Sequence, residues 1–116
     1  IIRWDTCLSN VRDLYFKSLS DDGTLNVLFT DSEDNIYEIT AEKISYKLSE
    51  EELLTDYWNL MKSETGRTFI IENSKWLTND YVTAGFEYTH YVITSWDLCI
   101  EILACDDDVI VKHRIN

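Results

Sequence analysis

The sequence predicts an α+β domain: a single curved antiparallel sheet of about five to seven strands, with one main amphipathic helix over about residues 50–63 packed on it. Three observations predict it. Apolar and polar residues alternate in several short runs, as where Leu25, Val27 and Phe29 share one face. One capped stretch repeats its apolar residues at helical spacing. Short polar connections separate the runs, and strands joined that way tend to pair antiparallel. The 116 residues contain no proline and only three glycines, so no linker marks a boundary and 1–116 reads as one domain.

The elements follow in order. Trp4 to Leu19 is ambiguous between helix and strand; Asp21-Asp22-Gly23-Thr24, a hairpin turn signal, tips Tyr15–Leu19 toward a strand. Thr24–Thr30 is the next strand, and Asp31-Ser32-Glu33-Asp34-Asn35 the next turn. Ile36–Ala41 follows, running on through Ile44-Ser45-Tyr46. Ser49 then reads as a helix N-cap with Glu52 as its capping-box partner, and Glu50, Glu51 and Glu52 suit the positive end of the helix dipole. Leu53, Leu54, Tyr57, Trp58 and Met61 form the apolar stripe, and Gly66 offers a stop. Beyond lie a strand at Arg67–Glu72, a short helical turn at Asn73–Leu77 and strands at Tyr88–Thr94 and Leu98–Ala104. A turn at Asp106–Asp108 leads to a last strand, Val109–His113.

Composition narrows the function. Twenty-two acidic residues against ten basic give a formal charge of −12. A surface that acidic repels phosphate, which argues against nucleic-acid binding. No apolar run approaches the ~20 residues that span a bilayer, and the start does not read as a signal peptide. The three cysteines, Cys7, Cys99 and Cys105, are an odd number, which suits small buried hydrophobes in a reducing compartment. Cys99 and Cys105 on one extended strand would lie about 20 Å apart, too far to bridge; a turn between them would change that.

No family signature surrounds any cysteine that His90 or His113 could serve as base, and no strong catalytic motif is present, so no catalytic residue is assigned. No metal or cofactor is assigned either. Asp31, Glu33, Asn35 and Glu42 match part of an EF-hand loop, but Ile36 stands where the sharp turn needs glycine. Asp106, Asp107 and Asp108 suit a solvated turn or partner contact better than a cation site, because no further ligand set accompanies them. Glu101 shares a strand face with Cys99 and Leu103; it is either exposed on a wet face or half-buried and bonded to His90 or a tyrosine. Most of the four tryptophans and seven tyrosines should fill the core. Trp76 and Trp96, near loops, are the candidates for a recognition surface.

The acidic residues gather in turns and at the predicted helix start. That arrangement keeps a protein dissolved, and it also steers a basic partner toward fast association. The chain resembles the small acidic bacterial immunity proteins of polymorphic and contact-dependent growth-inhibition toxin systems. The resemblance lies in Asn35-Ile36-Tyr37-Glu38-Ile39, Glu50-Glu51-Glu52, Asn73-Ser74-Lys75-Trp76-Leu77, His90-Tyr91-Val92-Ile93 and Cys99-Ile100-Glu101-Ile102-Leu103. It implies a cytoplasmic, non-catalytic inhibitor that occludes one cognate basic toxin domain, a nuclease by expectation. Asp31, Glu33, Asp34, Trp76, Trp96, Asp106, Asp107 and Asp108 are the candidate partner-binding residues by charge and aromatic content. The alternatives are a structural or regulatory domain that self-associates through a sheet edge, and a small ligand-binding domain.

Overall fold

The structure, a computed structural model, describes residues 2–50, 67–80 and 88–114. Its strands are β1 (Ile2–Arg3), β2 (Tyr15–Asp21), β3 (Leu25–Thr30), β4 (Ile36–Glu50), β5 (Thr68–Ile71), β6 (Thr89–Thr94) and β7 (Leu98–Arg114). One short helix, α1 (Lys75–Asp80), precedes β6. The strands form one antiparallel sheet in the order β1-β5-β6-β7-β4-β3-β2. Two three-stranded meanders, β2-β3-β4 and β5-β6-β7, meet where their long inner strands pair.

This corrects the α+β expectation: among the described residues the fold is nearly all-β. Ser49 and Glu50, read as the cap and first turn of a main helix, are instead the last rungs of β4, opposite Cys99 and Leu98. A local capping signal worth about 1 kcal/mol has yielded to pairing with a long neighbouring strand. Residues 51–63 of the expected helix lie outside the described residues.

A second correction concerns the aspartate run. Asp106–Asp108 do not turn the chain between two strands; β7 passes through them as one strand. Register there moves from Lys43↔Ala104 to Ala41↔Val109, so β4 advances two residues while β7 advances five. The three surplus residues make a wide bulge opposite Glu42. Bulges bend strands and raise their twist, which lets β4 and β7 serve both halves of a curled sheet.

The concave side of the curl holds the main core. Leu25, Val27, Phe29, Ile39 and Ala41 come from one half, and Tyr91, Ile93, Ile100 and Ile102 from the other. The loop between β1 and β2 plugs the space between them with Leu8 and Leu14, both fully buried. Its Trp4 ring packs on Tyr91 at 4.6 Å. On the convex side a smaller cluster gathers Phe69, Val92 and Cys99. Cys99 and Cys105 occupy the same strand, and the three cysteines are free thiols.

β2 is an edge strand, and its register slips between Phe16 and Ser18 so that Lys17 bulges out. A bulge and a lysine on an edge both discourage further strand pairing. The turn after it bonds to its own side chains: Asp21 Oδ1 accepts the Gly23 N–H at 3.2 Å, and Asp22 Oδ1 accepts the Thr24 N–H at 3.3 Å. Gly23 has φ 109°, a backbone angle strained for any residue with a Cβ.

Candidate functional site

The curl brings the β6–β7 hairpin tip against the start of β2. The Trp96 N–H donates to Leu14 O at 2.8 Å, and the Phe16 N–H donates to Asp97 Oδ1 at 3.0 Å. Ser95 tightens the tip: its Oγ lies 2.8 Å from Asp97 Oδ1 and accepts the Leu98 N–H at 3.2 Å. The Trp96 indole N–H points at Arg12 O, 3.2 Å away, and at Asp13 Oδ1, 3.3 Å away. The Arg67 guanidinium lies over the indole at 5.6 Å while donating to Val11 O at 2.7 Å and to Arg12 O. Trp96 is nonetheless 50% exposed. A large aromatic held in one orientation and left half in water is preorganised for contact.

The β3–β4 turn borders this tip, because Tyr15 pairs with Thr30 and one cleft is lined by both Asp13 and Asp31–Glu33. Asp31 is the keystone of that turn. Its Oδ1 accepts the N–H groups of Glu33 and Asn35 at 2.9 and 3.0 Å; its Oδ2 accepts Asn35 Nδ2 at 2.9 Å and the Tyr37 hydroxyl at 3.0 Å. Partial burial alone would raise the Asp31 carboxyl, but these four bonds outweigh it and hold it below the ordinary carboxylate range. Burial and the Asp31 carboxylate push the Tyr37 phenol up to about 12. Asp31 therefore builds the turn, and Glu33 and Asp34 are its exposed charges.

A depressed folded pKa contributes stability that is complete above the unfolded value and fades as pH falls through the folded one. Asp31→Asn should thus unfold at lower urea than wild type at pH about 7, with the gap closing toward pH about 2. A gap that stays constant across that range would show that the Asp31 charge has no part in it. Tyr37 has the opposite sign: its neutral form stabilises the fold fully below about 10 and is lost as pH rises toward 12.

Asp107 and Asp108 lie at the other end of β3, roughly 20 Å away. They belong to the bulge, where Glu42, Lys43, Cys105 and Asp108 line an open cleft beside the Asp21–Gly23 turn. Lys43 Nζ contacts Asp21 Oδ1 at 2.9 Å, an attraction that, with the Gly23 N–H, holds that carboxyl low. Asp106 is placed by its backbone in β7, and its side chain lies outside the described residues. The sequence-predicted acidic residues thus form two surfaces. Asp31 and Glu33 line one cleft with Asp13, whose Oδ1 faces the Trp96 indole N–H, and Asp34 lies in the same turn; Asp107 and Asp108 stand apart.

Trp76 lies on the convex side in neither group. It meets His90 edge-on at 5.2 Å, and Lys47 Nζ sits 4.1 Å from its ring centre. Beneath it runs a buried polar chain. Glu101 Oε1 lies 2.8 Å from His90 Nε2, and His90 Nδ1 lies 2.7 Å from Ser74 Oγ. All three residues are at most 5% exposed. The alternation of β7 puts Glu101 beside Cys99 and Leu103, and that of β6 puts His90 on the same face. Of the two sequence readings of Glu101, the buried one with a His90 partner is correct. Ser74, which the sequence marks only by its place at the N-cap of the short helical turn, completes the chain.

A serine, a histidine and a carboxylate in line resemble a nucleophile relay. The bonds point to another use. Ser74 Oγ accepts the Leu77 N–H at 3.2 Å as the cap of α1, and its own proton is directed at Nδ1 if Nε2–H serves Glu101. No buried polar atom of this network is left without a partner, and Ser74 is only 5% exposed. The chain fastens α1 to the sheet.

Among the described residues no group of three or more His, Cys, Asp or Glu side chains is arranged to hold a metal ion, and no helix is long and apolar enough to cross a membrane. Compared with protein-family models, curated proteins and solved structures, the chain shows no significant match.

Proposed function

We propose that the chain is a non-catalytic, cytoplasmic binding protein of the immunity kind, which captures a basic toxin domain and occludes its active cleft. A nuclease is the toxin that suits it best, since a cleft that binds phosphate must be cationic. The single observation behind this reading is the tip surface, where a clamped, half-exposed Trp96 stands beside Asp13 and Asp97, with Glu33 on the cleft that Asp13 also lines. An aromatic anchor within a charged rim is the arrangement that carries most energy in protein interfaces, and like-signed carboxylates speed the approach of a cationic partner. With −12 in total charge, the rest of the molecule adds to that field.

The test is affinity capture from the source cell on the immobilised protein, followed by identification and assay of what binds. The reading expects a basic protein that is retained at about 50 mM salt and largely released by about 500 mM. It also expects stoichiometric addition of this chain to abolish that protein's enzymatic activity. A captured protein that is not basic, or whose activity survives saturation, contradicts it.

A further inference from the structure

The geometry at Trp96 points to the chemical group it receives: we infer that the exposed indole is the seat of an arginine side chain from the partner. This rests on the tip surface being the docking face. One ring face already lies against Arg67 at 5.6 Å, and the indole N–H edge is taken by Arg12 O and Asp13 Oδ1. With those contacts made, Trp96 is still 50% exposed, so ring surface is left for a second group. A π-face attracts cations, and tryptophan does so most strongly of the aromatic residues. Carboxylates stand around it: Asp13 on the indole N–H, Asp97 in the next position of the hairpin tip, and Glu33 across the cleft that Asp13 also lines.

Arginine fits this setting better than lysine. A guanidinium is planar, so it stacks on the indole while its N–H groups fork onto a neighbouring carboxylate. A lysine ammonium is strongly hydrated and must give up water to sit on a ring. The resident pair combines the same two kinds of contact, with the Arg67 guanidinium over the ring at 5.6 Å and donating to backbone carbonyls at once. Arg67 and Arg12 lie along this surface with the carboxylates of Asp13, Asp97 and Glu33, in a chain of net charge −12, so a further guanidinium is favoured.

The experiment is a titration of the folded protein with a hexa-arginine peptide and, separately, a hexa-lysine peptide at matched ionic strength. The readout is the four tryptophan indole N–H signals in a ¹⁵N correlation spectrum. The arginine peptide should move the Trp96 signal along a saturating curve, with an affinity about tenfold above that of the lysine peptide. Trp96→Leu, checked for folding by circular dichroism, should remove that preference while leaving weak binding by charge. Equal affinity for both peptides, or shifts that leave the Trp96 signal in place, would overturn the assignment. The immunity reading fails separately, when no basic protein is captured or inhibited, and an arginine-selective response at Trp96 would survive that failure.

Discussion

His90→Ala is expected to lower the unfolding free energy by about 3–4 kcal/mol, a large share of the ~5–15 kcal/mol that holds a domain of this size together. The imidazole is the middle link of a buried chain, so its loss orphans groups on both sides. Glu101 keeps a carboxylate at 5% exposure with its bond from Nε2 removed, and Ser74 loses the 2.7 Å contact that ties the α1 cap to the sheet. Trp76 loses the ring it meets edge-on. The variants around it should fall in order. Glu101→Gln, which keeps a carbonyl able to accept the Nε2–H, should cost about 1 kcal/mol, and Ser74→Ala about 1–2 kcal/mol through the lost cap. Because the three act as one network, the His90→Ala/Glu101→Ala pair should cost clearly less than the sum of the single changes. Urea unfolding followed by circular dichroism measures all of these. Additive costs, or a His90→Ala cost below about 1 kcal/mol, would show that the chain does not fasten α1.

Trp96→Ala should weaken the captured partner's affinity by roughly 10²–10³-fold, about 3–4 kcal/mol. The loss should fall on the dissociation rate, since a short-range anchor acts only after contact. Glu33→Gln with Asp34→Asn should behave differently. Those residues are exposed rim charges, so they should slow association severalfold at low salt and leave dissociation nearly unchanged. Asp107→Asn with Asp108→Asn removes the same charge from the far end of β3. Beyond two Debye lengths at physiological salt the effect on association should be slight. Interferometry or surface plasmon resonance with the purified partner separates these cases. Stronger loss from the bulge pair than from the turn pair would move the interface to the other end of the sheet.

The strands were legible in the sequence because alternation and β-branched or aromatic content report a half-buried pleated surface. Leu25, Val27 and Phe29 on one face of β3, and Ile36–Ala41 continuing through Tyr46, needed no tertiary knowledge. What failed did so where non-local pairing overrules local chemistry. Ser49 and Glu50 carry a helix-start pattern, yet a register running from Tyr46↔Ile102 to Glu50↔Leu98 holds them extended. Three consecutive aspartates look like a turn, but as bulge residues opposite Glu42 they bend a strand that continues. β1, two residues long, exists only because Ile70 and Phe69 stand opposite it. For the site, Trp96 and the Asp31 turn were visible as an exposed aromatic and an acidic run. Their adjacency was not, because the curl that joins them spans both halves of the sheet. Glu101 with His90 was readable as a buried acid's need for a donor, whereas Ser74 could be found only through its place ahead of Leu77.

The most direct test of the central claim is the association rate of the captured basic partner with wild type and Trp96→Ala, measured across about 50–500 mM salt. Capture steered by carboxylates and locked by one aromatic predicts steep, parallel declines in association rate for both proteins, with dissociation faster in Trp96→Ala at every salt. A rate indifferent to salt, together with dissociation unaltered by the substitution, would contradict it.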